Sequence, residues 1–227
     1  SHSKYNVAYK IANPADVSDL HNFSIEASGV EGNPLTVKGF LKIEKLKEPR
    51  QYLRPKAYPN PEFVMVEKSD YKRLWPYESY LNEANPEFWP VETTLFQGQQ
   101  ASGEMDLQNL TKGKLQLGTY RITYQPEGGS AEESKNIYYL RVNSDKKNNL
   151  LDPGSNQLLS LVCDQDTYEP GSTAKIQVRT TNPSGKVALI GVKNNVFLFE
   201  KWINASRLYS ELKKLSQSDL GGVRILA

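Results

Sequence analysis

The sequence has little of what disulfide, redox and metal chemistry requires. Its 227 residues include one Cys and two His. A single Cys cannot form an internal disulfide or supply a Cys-rich zinc or iron–sulfur site. No stretch approaches the ~18 consecutive apolar residues of a transmembrane helix, and the longest apolar run, Val187–Val192, is interrupted by Gly191.

The chain also lacks an excess of charge of either sign. Its 28 Lys and Arg residues against 26 Asp and Glu residues give a net charge of +2, which does not provide the basic surface that binding to nucleic-acid phosphates requires. The apolar share is 38%, below the roughly 45–50% of ordinary globular chains. Modules with thin cores therefore fit the composition better than one thick core.

The chain begins with Ser-His-Ser instead of Met and a basic-then-apolar leader. We expect either that a targeting segment was removed or that this is a piece of a longer protein.

The dominant hydrophobic period is two, which is typical of β-strands. Alternation places Tyr5, Val7, Tyr9 and Ile11 on one face of a strand, and a second strand carries Tyr120, Ile122 and Tyr124 in the same way. Further strands are predicted over 35–46, 137–142, 158–163, 174–180, 187–192 and 196–202. Because Gly, Pro and Asn turns separate these short strands, the sequence predicts an all-β fold of immunoglobulin- or fibronectin-like antiparallel sandwiches.

In the long strand at 35–46, the pattern predicts that Lys38, Lys42 and Glu44 face solvent. Its Gly39 indicates a bulge or bend.

A polar segment over 145–157 predicts a boundary between two domains, at 1–145 and 156–227. The second is short for a sandwich, and we expect it to be incomplete at its C-terminus. The first contains an insertion at about 47–90, rich in proline and aromatic residues, where the alternation stops. A short helix through Tyr71–Leu74 is expected there, capped by Ser69 or Asp70 and ended by Pro76.

The region 205–216 is ambiguous between helix and strand. Leu208, Leu212 and Leu215 have helical spacing, but the run is short and Gly221-Gly222 follows.

Candidate catalytic groups are few. Cys163 could be a nucleophile with His21 as its base, but it continues the alternation of Leu159 and Leu161, so a small core thiol is the favoured interpretation. Asp164 and Asp166 flank Gln165 as in a solvated strand end, since a Ca²⁺ loop needs more oxygen ligands. The sequence therefore predicts no catalytic, metal-binding or cofactor-binding residue, and a protein that is not an enzyme.

Trp75 and Trp89, both in the insertion, form a candidate interaction surface. Their rings could stack on sugars or fill a partner's pocket. The alternative, which we favour, is that they cover the sheet beneath the insertion.

Tyr168-x-Pro170-Gly171 before a strand resembles the opening of a macroglobulin domain in the alpha-2-macroglobulin family. Further motifs are Pro34–Pro49, the aromatic-acidic run from Phe63 to Tyr80, Trp89-Pro90 and Leu115–Ile122. These resemble the bacterial (Bacteroidetes-type) branch of that family. The turn with Gly221 and Gly222 resembles the one before a domain's last strands, and it favours strand in the ambiguous tail.

The resemblance implies two macroglobulin domains of a large endopeptidase inhibitor that traps proteases in the bacterial cell envelope, periplasmic or secreted. Its partners would be neighbouring macroglobulin domains of a longer chain and, through that chain, target proteases. The family's thioester needs a Cys with a Glu-Gln pair two residues on, which Cys163 lacks. This chain would therefore form part of the structural shell of the inhibitor. The alternative function is a carbohydrate- or cell-surface-binding adhesin module that uses the aromatics of the insertion.

Overall fold

A computed structural model describes residues 5–49, 52–54, 56, 58–128, 135–148, 150–152, 158–165, 167–180, 186–204, 209–217 and 224–226. The predicted all-β fold is confirmed, because several antiparallel sheets account for most of the regular structure. The chain divides into two compact units. One comprises residues 1–48 and 85–148, and the other comprises residues 49–84 and 149–227.

The described strands are β1 Tyr5–Lys10, β2 Ala15–Asp16, β3 Phe23–Gly29, β4 Pro34–Leu35, β5 Lys38–Leu46, β6 Val91–Ala101, β7 Gly103–Met105, β8 Gly118–Pro126, β9 Asn136–Asp145, β10 Leu150–Leu151, β11 Leu159–Cys163, β12 Thr173–Thr180, β13 Lys186–Lys193, β14 Val196–Asn204, β15 Tyr209–Lys214 and β16 Arg224–Leu226. The described helices are α1 Lys68–Leu74 and α2 Leu107–Leu110, with 3₁₀ helices at Val17–Asn22 and Pro86–Phe88.

The first unit is a sandwich of two sheets. One sheet has the order β1-β3-β4, with β7 also pairing with β3, and the other has the order β9-β8-β5-β6, with β2 added parallel to β9. The two sheets share one core, to which β3 contributes Phe23 and Ile25 and β5 contributes Leu41 and Ile43.

Strand β8 supplies the centre of this core. Tyr120, Ile122 and Tyr124 are fully buried, as their alternation predicts. Each buried tyrosine hydroxyl has a backbone partner. Tyr120 donates to the carbonyl of Gln116 at 2.9 Å and accepts from its N–H at 3.0 Å, while Tyr124 donates to the carbonyl of Val37 at 2.6 Å.

The prediction that Glu44 faces solvent is wrong. Glu44 is only 4% exposed, because its strand neighbour Lys42 and the residue paired with it on β8, Arg121, both contact its carboxylate. Arg121 donates from two nitrogens to Oε2, at 3.0 and 2.8 Å. The alternating pattern identified a polar position but not the cross-strand cation that covers it.

The bulge predicted at Gly39 is also wrong. The register of β5 against β6 shifts between Ile43 and Glu44 and again between Lys45 and Leu46, while Gly39 is paired regularly. Gly39 is needed for close packing, since a Cβ there would lie 2.6 Å from Cζ of Tyr124 and 2.7 Å from the carbonyl oxygen of Gln125.

The insertion is a long excursion between two paired strands. Leu46 of β5 pairs with Val91 of β6, and the N–H of Lys47 donates to the carbonyl of Pro90 at 2.8 Å. The short helix predicted here is confirmed as α1. It starts earlier than expected, with Glu67 at the N-cap position and no side-chain cap hydrogen bond.

The second unit contains another sandwich, with sheet orders β11-β12-β15 and β14-β13-β16. Its core holds Ile176 and Val178 of β12 with Leu189 of β13 and Ile203 of β14. The ambiguous tail is a strand over Tyr209–Lys214 that pairs with β12, while residues 205–208 lie outside the described residues.

The described part of the chain has no helix with both the length and the apolar character needed to cross a membrane.

We expect Gly39→Ala to destabilise the first sandwich by about 1–3 kcal/mol, the usual cost of forcing extra volume into a packed site. The added methyl group would overlap the ring of Tyr124 and a backbone oxygen, and the backbone oxygen cannot rotate away. Chemical denaturation followed by far-UV circular dichroism measures the change.

Gly98→Ala, on the adjacent strand β6, is the matched control because its Cβ would meet only the ring of Phe96 at 3.4 Å. Equal stability losses in the two variants would contradict the close-packing role of Gly39.

Candidate functional site

The groups considered for catalysis have structural partners. His21 lies in the first unit, where its Nδ1 is 2.8 Å from Oδ2 of Asp106. Asp106 also accepts from the N–H of Asn109 at the start of α2. The hydrogen bond from His21, with that from Asn109, lowers the pKa of the Asp106 carboxyl. Both side chains are exposed, so this contact lies at the surface.

Cys163 is the last residue of β11 in the second unit. It is half-buried and packs against the second core together with Leu159 and Leu161, which is the side that the alternation predicts.

The Tyr168-x-Pro170-Gly171 motif forms a hydrogen-bonded turn before β12. Tyr168 donates its hydroxyl to Oδ1 of Asp164 at 2.6 Å and accepts from the N–H of Gln165 at 3.0 Å. Oδ1 of Asp164 also accepts from the N–H of Lys175 at 2.8 Å. This set of contacts, which we call the Tyr168 clamp, joins the end of β11 to the beginning of β12.

The turn also uses the conformational freedom of Gly171, whose φ is +91°. Its N–H donates to the carbonyl of Leu215 at 3.1 Å, and the N–H of Leu215 donates to the carbonyl of Ser172 at 2.9 Å. The turn is thereby tied to the residue that follows β15. Gly221 and Gly222, the other two motif residues, lie outside the described residues.

Titration of the Tyr168 clamp reflects its hydrogen bonds. Partial burial opposes ionisation of Asp164, yet its hydrogen bonds with Tyr168 and Lys175 hold the pKa of that carboxyl below its ordinary value. Burial and the bond to Asp164 raise the pKa of Tyr168 to about 12. Asp164 thus has a structural role, and within the described residues no three His, Cys, Asp or Glu side chains come together as metal ligands.

The two tryptophans of the candidate surface have different environments. Trp75, at the C-terminal end of α1, is 45% exposed, whereas Trp89, which follows the 3₁₀ helix Pro86–Phe88, is 6% exposed. Of the two rings, Trp75 is the one that presents substantial surface to solvent.

Trp75 belongs to a group of side chains centred on Tyr71, which we call the Tyr71 cluster. It consists of four aromatic residues and one lysine: Tyr58, Tyr71, Trp75, Tyr80 and Lys56. The ring centroids of Tyr71 and Trp75 are 5.1 Å apart, and those of Tyr71 and Tyr80 are 5.4 Å apart in an edge-on arrangement. Nζ of Lys56 lies 5.5 Å from the Tyr71 centroid.

Hydrogen bonds fix the polar end of Tyr71. Its hydroxyl donates to Oε2 of Glu78 at 3.1 Å and lies within hydrogen-bonding reach of the Tyr58 hydroxyl. Desolvation and the contact with Glu78 raise the pKa of Tyr71 to about 12.

The charges around α1 are paired with one another. Glu83 contacts Lys68 and Lys72, each at 2.6 Å. Although burial opposes ionisation of Glu83, its hydrogen bonds with the two lysines lower the pKa of that carboxyl. The sequence analysis did not identify the Tyr71 cluster, although the four-residue spacing of Tyr71 and Trp75 on a predicted helix brings them to one face.

Asp16 is a buried carboxylate that the sequence analysis did not single out. It accepts four hydrogen bonds, from the N–H and hydroxyl of Ser18, the hydroxyl of Ser144 and the N–H of Lys146. Burial opposes its ionisation, but these bonds hold the pKa of Asp16 below its ordinary value. The side chain thereby joins β2 to the end of β9.

No protein-family model matches the chain, and no curated protein matches it either.

We expect Asp16→Asn to cost about 1–3 kcal/mol at pH 7, because an amide leaves donors of Ser144 or Lys146 unsatisfied. The folded-state pKa is depressed, so the stability that the carboxylate supplies is present above its unfolded pKa of about 3.9 and is lost as the pH falls through the folded value. Urea unfolding at pH 7 and at pH 3 should show the difference between wild type and variant shrinking on acidification.

The exposed Glu31→Gln change is the control for a lost surface carboxylate. A stability difference between wild type and Asp16→Asn that is the same at both pH values would contradict this assignment.

Tyr168→Phe should destabilise the second sandwich by about 0.5–1.5 kcal/mol, the net value of a typical hydrogen bond. Removing the hydroxyl leaves Asp164 with the N–H of Lys175 but no clamp to the turn. Tyr77→Phe, at an exposed tyrosine, is the matched control and should leave the unfolding midpoint unchanged. A Tyr168→Phe variant as stable as the wild type would show that the clamp does not stabilise the fold.

Proposed function

We propose that this chain is a structural part of a large alpha-2-macroglobulin-like endopeptidase inhibitor of the bacterial cell envelope. In this proposal both sandwiches are macroglobulin domains of the immunoglobulin-like type. They contribute shell and inter-domain contacts, and they do not perform catalysis.

The observation that carries the proposal is the Tyr168 clamp. The Tyr-x-Pro-Gly motif is what the sequence shares with the opening of a macroglobulin domain, and each of its named residues has a physical task in this fold. Tyr168 bonds across to the end of the preceding strand, Pro170 restricts φ, and Gly171 takes the positive φ that the turn needs. A motif in which each residue has a structural role supports the resemblance more strongly than sequence similarity alone.

The succession of two sandwiches in one chain is a second support. Domains with separate cores move as rigid bodies, so a protein built from many of them can switch between two packings when one connection is cut. A protease trap requires such a change, because the cut that the protease makes must be converted into closure around it.

The chain's own chemistry fits the shell role. Cys163 is half-buried against the second core. The pair of residues that begins two positions after it is Gln165-Asp166, and a thioester needs Glu-Gln there. Capture of a protease would therefore depend on other domains of the longer protein. The partners in this proposal are those neighbouring domains and, through the full protein, the target proteases.

The test compares this chain with the full-length protein that contains it. We expect the full-length protein, at equimolar ratio, to block digestion of azocasein by trypsin while hydrolysis of a small chromogenic peptide continues, because a trapped protease remains open to small substrates. With the 227-residue chain alone, digestion of azocasein and hydrolysis of the small peptide should both proceed undiminished.

Stoichiometric inhibition by the isolated chain would overturn the shell role. Undiminished azocasein digestion in the presence of the full-length protein would overturn the inhibitor assignment.

The alternative function, a carbohydrate- or surface-binding adhesin module, was based on Trp75 and Trp89 together. With Trp89 buried, the two rings do not make a pair of exposed platforms. Of the two tryptophans, only Trp75 is exposed enough to bind a ligand by stacking.

A further inference from the structure

The Tyr71 cluster leaves two of its aromatic side chains largely open to solvent. Tyr58 is 58% exposed and Trp75 is 45% exposed, although both contact Tyr71, Trp75 through its ring and Tyr58 through its hydroxyl. Exposed aromatic side chains gathered in one place are more typical of binding sites than of the remaining surface of soluble proteins.

Neighbouring residues of the cluster support the exposed rings of Trp75 and Tyr58. Tyr71 is bonded to Glu78, packs edge-on against Tyr80 and lies beneath the ammonium group of Lys56. Because the supporting residues are themselves fixed, a ligand that stacks on Trp75 would not have to order the ring first, and pre-organisation of this kind favours binding.

The charges around the cluster favour an uncharged ligand. Glu83 is paired with two lysines, Asp70 with Arg73 at 3.4 Å, and Glu78 accepts from Tyr71. Each of these charged groups, like Lys56 in its bond to Asn60, already has a partner within the chain, so it attracts a charged ligand less strongly than a free charge would.

Polar groups that suit hydroxyls lie beside the rings. Lys56, which contacts the Tyr71 ring, also donates to Oδ1 of Asn60 at 3.0 Å. Nδ2 of Asn60 in turn donates to Oδ1 of Asn82 at 2.6 Å. Lys56 therefore brings the Asn60 amide near the Tyr71 ring, and the Tyr58 hydroxyl lies within hydrogen-bonding reach of the Tyr71 hydroxyl.

We propose that the Tyr71 cluster binds a neutral pyranose sugar, with one sugar ring stacked on Trp75. A pyranose has an apolar face of C–H groups and an edge of hydroxyls, so it matches a flat ring bordered by amides. A proline-rich peptide is the competing occupant of exposed aromatics. It is disfavoured because Tyr71 and Trp75 are tilted by 51° and do not form the parallel walls of a groove.

This inference is independent of the proposed function. A domain of a protease inhibitor can carry a sugar-binding surface, and failure of the sugar assay leaves the azocasein assay unaffected.

The experiment is isothermal titration calorimetry of the 227-residue chain with cellohexaose, laminarihexaose, xylohexaose, mannohexaose, maltohexaose and chitohexaose, and with a decaproline peptide. We expect at least one hexasaccharide to bind, and we expect Trp75→Ala to weaken that binding by about tenfold or more, consistent with the loss of a stacking partner. The affinity should be nearly the same in 50 mM and 500 mM NaCl, because salt screens only charged interactions.

Trp202→Ala is the matched control. Trp202 is an exposed tryptophan of strand β14 whose Nε1 donates to Glu200, and its removal should leave the sugar affinity within twofold of wild type. Trp75→Phe retains a ring and should recover part of the affinity that Trp75→Ala loses.

A second measurement does not depend on the folding of the alanine variant. In ¹H–¹⁵N spectra of the unaltered chain, the bound hexasaccharide should shift the indole N–H signal of Trp75 and leave that of Trp202 in place, with the signals assigned from Trp75→Phe and Trp202→Phe.

Absence of binding by all six hexasaccharides would overturn the proposal. So would binding of decaproline in their place, an equal loss of affinity in Trp75→Ala and Trp202→Ala, or a sugar-induced shift confined to Trp202.

Discussion

The first sandwich depends on burying tyrosine hydroxyls together with the rings that carry them. A hydroxyl taken out of water without a partner costs free energy comparable to what the ring gains on burial, so Tyr120 and Tyr124 each require an acceptor inside the core. Gln116 and Val37 provide backbone carbonyls for this purpose. Burial accordingly raises the pKa of Tyr120 to about 12. The bond from Tyr120 fixes the segment that precedes β8, and the bond from Tyr124 fixes the segment that precedes β5. The second bond also holds the Tyr124 ring close to Gly39.

The same constraint explains how two buried acidic residues are used. Asp16 and Glu44 are surrounded by donors that satisfy them, and each joins segments that are separate in sequence. Asp164 is exposed, but its hydrogen bonds also join two segments. In an enzyme, carboxylates with perturbed pKa values typically converge on a cleft. Here the depressed pKa values of these groups are accounted for by hydrogen bonds and ion pairs that hold strands and turns together.

The sequence was most informative where one face of a strand is buried and the other is not. The alternation in β8 predicted both the strand and its buried residues, because a pleated backbone places every second side chain in the core. In β1 it predicted the strand and the face whose half-buried residues Val7 and Tyr9 pack against that core. Strand β3 was not predicted, although its core residues Phe23, Ile25 and Ala27 alternate with Ser24 and Glu26 in the same way. Strand β6 was not predicted either, and it is largely exposed.

Whether an individual side chain is buried or exposed was harder to predict than the positions of the strands. Glu44 and Trp89 are buried, and in neither case does the local sequence contain the reason. For Glu44 the reason is Arg121, which is distant in sequence and adjacent only after β5 and β8 pair. The Tyr71 cluster combines a local pair, Tyr71 and Trp75, with residues from outside the helix, so only the local pair carries a sequence signal. The other members are Lys56, Tyr58 and Tyr80.

The hydrogen bond between Lys47 and Pro90 closes the base of the excursion that contains the Tyr71 cluster. Since β5 and β6 are already paired where the excursion leaves and returns, the sheet's ladder is complete whatever the intervening residues are. Residues between these two points can therefore be added, removed or exchanged without changing the pairing of β5 with β6.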